Sequence, residues 1–125
     1  MKFFIIGLTL FAALSSGWGH AQKLAYLSCT VPATQEREAE HFDFTLDEQN
    51  GTVSFFVDKA NALNKEKAVF GPDTVQWTTT LPFDSFMTRT ISRVTLTFTE
   101  DSVLAGIREH YVGSCKVVMP PKRQF

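Results

Sequence analysis

The stretch from Phe42 to Val57 restricts the possible folds of this chain more than any other. Phe42, Phe44 and Leu46 alternate with His41, Asp43, Thr45 and Asp47, and after Glu48-Gln49-Asn50-Gly51 the alternation resumes as Thr52-Val53-Ser54-Phe55-Phe56-Val57. Successive side chains of a strand point to opposite faces, so a period of two with one apolar parity marks a half-buried strand. Asn-Gly between two such runs signals a hairpin, because both residues tolerate positive φ. Taken as a two-residue turn, Asn50-Gly51 pairs Gln49 with Thr52, Leu46 with Phe55 and Phe44 with Val57. That register gathers Phe42, Phe44, Leu46, Val53, Phe55 and Val57 on one buried face. The triplet Asn50-Gly51-Thr52 also satisfies the N-glycosylation pattern, but the turn accounts for it without a glycan. Phe56 points away from Phe55 and Val57. It either packs beneath another element or belongs to an exposed binding patch.

The rest of the chain continues in the same manner. Residues 58–67 are polar and Ala-rich, which predicts a loop or a short helix, and Gln35–Glu40 is too short to hold more than a helical turn. Gly71-Pro72-Asp73 is a turn, and Thr74–Thr79 is a strand with Val75 and Trp77 inward. Leu81-Pro82-Phe83-Asp84 breaks the pattern again. Between Phe86 and Thr99 the parity changes: Met87 and Ile91 share one face, Val94, Leu96 and Phe98 the other. A single regular strand cannot bury both, so a bulge or turn is expected near Ser92-Arg93. Glu100-Asp101-Ser102 is expected as a turn, followed by strands at Val103–Ile107 and His110–Val118 with Tyr111, Cys115 and Val117 on one face. About seven or eight short strands with regular turns predict an all-β fold, a small antiparallel barrel or sandwich.

Lys2, the apolar run Phe3–Leu14 and the small-residue stretch ending at Ala21 follow the order of a secretory leader. A dozen apolar residues fall short of the roughly 20 that a spanning helix needs. The expected organisation is a leader at 1–21, one β domain at 22–119 and a tail at 120–125. After the leader the chain is expected to be exported, to the periplasm or beyond, without inserting in a membrane. The two cysteines, Cys29 and Cys115, lie in the first and last expected strands. In an oxidising compartment they predict a disulfide between terminal strands, which favours a barrel-like closure.

Charge argues against nucleic-acid binding, which needs a basic field. Residues 22–73 carry nine acidic against five basic side chains, and residues 74–125 carry four against six. His41 and His110 are far apart, and His41 and Asp43 fall on the polar face of the hairpin, so neither a metal site nor a cofactor is expected. There is no Gly-x-Ser-x-Gly elbow, no phosphate-binding glycine loop and no carboxylate pair placed for catalysis, so no enzyme is expected either. Arg89 and Arg93, four residues apart with one parity, are candidate contacts for an anionic partner, or strand-surface charges.

Several pieces resemble a loose group of small bacterial secreted proteins with two cysteines. These are Asp47–Val53, Val69-Phe70 with Pro72-Asp73 and Trp77, Ile91-Ser92-Arg93, Gly113-Ser114-Cys115, and the basic tail ending in Phe125. The resemblance implies a bacterial, periplasmic or extracellular setting, and no site residues carry over from it. The expected function is a non-enzymatic binding or interaction protein of the envelope, with Phe56, Arg89 and Arg93 as candidate contacts. The alternatives are a carrier of a small apolar ligand in a barrel interior and an inhibitor of a periplasmic enzyme.

Overall fold

A computed structural model describes residues 24–57 and 62–119. The leader expected at 1–21 and the tail at 120–125 lie outside the described residues. The chain forms β1 (Leu24–Val31), β2 (Glu40–Asp47), β3 (Thr52–Val57), β4 (Ala62–Lys67), β5 (Val69–Phe70), β6 (Thr74–Leu81), β7 (Ser85–Ser92), β8 (Thr97–Leu104) and β9 (Ile107–Val117). They make one antiparallel sheet in the order β4-β3-β2-β1-β9-β8-β7-β6-β5. The fold is all-β and nearly closed, with nine strands where seven or eight were expected.

Two meanders, β1–β4 and β5–β9, meet where β1 pairs with β9. Cys29 and Cys115 face each other in that ladder and are bonded, with Cα atoms 4.0 Å apart. The staple therefore sits in the middle of the sheet, between the terminal strands, and suits an oxidising compartment. The seam lies elsewhere, between β4 and β6. There the Thr79 hydroxyl donates to Glu66, whose two oxygens lie 2.9 and 2.8 Å away. Gly113, on β9, lets β1 cross closely, because a Cβ there would run into the Thr30 carbonyl.

The inward parity of each strand fills the barrel, as expected for a barrel of this strand number. Leu27, Val31, Phe44, Leu46, Val53, Phe55, Val75, Trp77, Ile91 and Phe98 are buried. Phe44 lies at its centre, with ring centroids 5.1 Å from Trp77, 5.7 Å from Phe98 and 5.8 Å from Phe55. Tilted and edge-on rings at these separations add about 0.5–1.5 kcal/mol per pair beyond area burial.

The β2–β3 hairpin keeps Phe44, Leu46, Val53 and Phe55 inward, as expected, but not its register. Asp47 faces Thr52, Leu46 faces Val53 and Phe44 faces Phe55, two residues from the two-residue-turn alignment. The reason is the Asp47 carboxylate. It accepts the Asn50 backbone N–H at 3.1 Å and the Asn50 side-chain amide at 2.8 Å, while the Gly51 N–H donates to the Glu48 carbonyl at 3.2 Å. These bonds build a four-residue loop that ends in Gly51 at φ +65°. A slip of two preserves parity, so the buried face is unchanged.

Three further expectations are corrected. Of residues 58–67, 58–61 lie outside the described residues, and 62–67 form neither loop nor helix but strand β4, because pairing with β3 overrides their polar composition. Glu100-Asp101-Ser102 is no turn; it lies inside β8, paired with β7 and β9. The chain reverses instead at Ala105-Gly106, both at positive φ, so the last two strands end and begin at Leu104 and Ile107. Gln35–Glu40 makes a bend and the first residue of β2 rather than a helical turn. The break expected near Ser92-Arg93 is present as the β7–β8 turn.

Candidate binding site at the open end of the barrel

The two ends of the barrel differ. At one end the β2–β3, β5–β6 and β7–β8 turns converge on Arg93. Its guanidinium donates to Glu48 Oε1 at 2.8 Å and to the Gly71 carbonyl at 2.8 Å, and its backbone N–H donates to the Asp73 carbonyl at 2.7 Å. One side chain thus ties three turns together. Ala25, Leu46, Val75 and Leu96 leave an apolar hollow of about 160 Å³ there. Arg93 is exposed in the β7–β8 turn and is already engaged by protein acceptors.

Among the described residues, the other end is the more open. A hollow of about 410 Å³ is lined by Phe42, Phe55, Asn64, Glu66, Thr79, Leu81, Met87 and Arg89, with His41 and Phe56 at its rim. This volume lies within the range of small-molecule sites, roughly 300–1,000 Å³. Phe56, one of the residues singled out by its parity, is half exposed and opposite Leu63 on β4. Of its two readings, exposure is the one observed.

Arg89 is no surface charge; it is only 7 % exposed. It shares the inward parity of Met87 and Ile91 on β7, opposite Trp77 on β6 and Glu100 on β8. Its Nε donates to Glu100 Oε1 at 3.1 Å, and Glu100 is 6 % exposed. The guanidinium carbon lies 4.9 Å from the Phe42 ring centroid and 5.5 Å from that of Phe55, within cation–π range. Two charges taken out of water lose several kcal/mol of hydration each, so a buried pair of this kind is weak evidence for stability. Apolar side chains of similar volume would fill the same space at lower cost.

Glu100 was missed in the sequence because it was assigned to a turn. The signal was present: Phe98 is inward, and two residues on, Glu100 has the same parity, then Ser102, which is also buried. Trp77, beside Arg89, is 2 % exposed, and its indole N–H finds no acceptor among the described residues.

Among the described residues, Glu40 and Glu66 are the carboxylates that line the hollow. Arg37 is paired with Glu40 and lies 3.8 Å above the Tyr111 ring. A hydrogen bond with Glu109, with burial adding to it, pushes the Tyr111 phenol above its ordinary pKa. At the far end, the bonds from Asn50 hold the Asp47 carboxyl below the usual carboxylate range.

His41 and His110 are exposed on the outer face. His41 Nε2 is 3.0 Å from Asp43 Oδ1, and His110 Nδ1 meets Asp101. Among the described residues, no three His, Cys, Asp or Glu side chains are placed to hold a metal ion. Among them, too, no helix is long and apolar enough to cross a membrane. Comparison with protein families, curated proteins and solved structures finds no match to this chain.

Proposed function

We propose that this chain is an exported, non-enzymatic binding domain of the bacterial envelope whose ligand enters the open mouth above Arg89 and Glu100. One observation carries the reading: a charged pair is buried beneath an open hollow in a barrel filled mostly with apolar side chains. A site that binds through a few fixed polar groups in an apolar wall has this composition. The packing of Phe44, Phe98 and Trp77 through the barrel centre favours a seat at the mouth over one deep in the interior. The secretory pattern of residues 1–21 and the disulfide support export to the periplasm or beyond.

The test is a titration of the oxidised domain with a panel of small amphiphiles, followed by ligand-observed NMR. Met87→Trp, which fills the hollow, is the blocking variant. The reading expects at least one saturable ligand, lost in Met87→Trp with the melting temperature maintained. Absence of saturable binding, binding indifferent to Met87→Trp, or specific hydrolase or redox turnover by the purified domain overturns it.

A second reading, docking onto a periplasmic enzyme as an inhibitor, is favoured by the β6–β7 turn. Phe83 stands 89 % exposed at its tip, with φ +59°, a conformation that bulky residues rarely adopt. Loss of a partner's inhibition in Phe83→Ala, with small-molecule binding at the mouth absent, would select this reading.

A further inference from the structure

We propose that the mouth takes an organic cation, an ammonium on a short apolar body, with the ammonium seated on the Glu66 carboxylate. The inference rests on the reading of the mouth as a binding site and adds the chemistry of its ligand.

The charges that face the hollow are not equally compensated. Arg89 is compensated by Glu100 at 3.1 Å, and Phe42 and Phe55 lie against its guanidinium. Glu40 is compensated by Arg37. Glu66 differs. It sits on β4 opposite Val53 with inward parity, while its neighbours Lys65 and Lys67 are exposed on the other face. Among the described residues no Lys, Arg or His pairs with it; its partner is the Thr79 hydroxyl. A hydroxyl supplies one proton, and a carboxylate offers about four acceptor sites. Most of the acceptor capacity of a half-buried carboxylate is therefore open beside the hollow.

The walls suit the rest of such a ligand. Phe55, Leu81 and Met87 offer apolar surface, and Asn64 adds a neutral polar group. Glu40 lines the hollow beside Glu66 and adds a second carboxylate to its wall. An anion would meet both carboxylates on its way to an arginine that is already paired. Charge thus selects a cation over an anion, and the walls select an apolar body over a bare ion.

The experiment compares n-hexylamine, n-hexanol and n-hexanoate, which differ in head group and charge, on the oxidised domain at neutral pH and low salt by NMR titration. Hexylamine is expected to bind about tenfold or more tightly than hexanol, the size of a charge-assisted hydrogen bond over a neutral one. Its affinity should fall with added salt while that of hexanol does not. Glu66→Gln should bring hexylamine to the affinity of hexanol and leave hexanol within about twofold. The salt dependence is measured on the unaltered protein, so the test survives a variant that folds poorly. If hexanoate binds tightest, the cation inference fails and the mouth remains a site, now for anions at Arg89. If hexylamine and hexanol bind equally and Glu66→Gln changes neither, Glu66 is only an inward charge protecting an edge strand, and the inference fails. If none of the three binds, the inference and the reading beneath it both fail.

Discussion

Replacing both cysteines, as Cys29→Ala with Cys115→Ala, removes the covalent cross-link between β1 and β9. The bridge spans 86 residues of sequence. In the chain-entropy account, opening a loop of that length releases about 4–5 kcal/mol of denatured-state restriction. Domains of this size have about 5–15 kcal/mol in all, so the bridge supplies a large share. Cys29 is fully buried at the β1–β9 ladder, and alanine leaves only a small void there. At about 4–8 °C per kcal/mol for a domain near 100 residues, the double variant should melt roughly 20 °C or more below the oxidised protein. Urea denaturation followed by circular dichroism measures both the midpoint and its slope. The slope should rise, because the unlinked denatured chain exposes more surface. A double variant that melts within about 5 °C of the oxidised protein would refute the reasoning. It would mean that the ladder between β1 and β9 holds the meanders together unaided.

Two other consequences are open to measurement. Asp47 titrates below the ordinary range because Asn50 bonds its ionised form, so its contribution to stability is present above the unfolded-state pKa of about 3.9 and is lost as pH falls through the lower folded value. Asn50→Ala should raise the Asp47 midpoint in a carboxyl ¹³C titration; an unmoved midpoint would contradict the cause given. Phe83→Gly, at an exposed tip with positive φ, should raise stability by up to about 1 kcal/mol, since glycine adopts that conformation without strain. A fall in the urea midpoint would show that the Phe83 side chain packs usefully.

Alternation made much of this fold legible. The inward sets of β2, β3 and β6 follow from parity alone, and so does the break between Ile91 and Phe98, where two parities cannot share one strand. The disulfide followed from two cysteines behind a leader-like segment. What escaped was decided by partners that periodicity does not see. Asp47 chose a four-residue loop over the tighter Asn-Gly turn, because its carboxylate could bond Asn50 twice. Strand β4 has little intrinsic strand character and exists because β3 offers it a ladder. At the site, composition misled. Glu100 reads as a turn residue and Arg89 as a partner contact or surface charge, yet both keep the parity of their apolar neighbours, Ile91 and Phe98. Their pairing across β7 and β8 makes that parity tolerable.

The mouth reading depends on Arg89 being held beneath a ligand, and the side-chain Nε–H of Arg89 reports this directly. In a ¹⁵N-edited titration of the oxidised domain with n-hexylamine, that resonance should be visible at neutral pH, protected by its bond to Glu100. It should also move with the same midpoint as the backbone amides of Thr79 and Met87. An Nε–H that exchanges freely with water, or stays fixed while amides elsewhere saturate, would contradict the account.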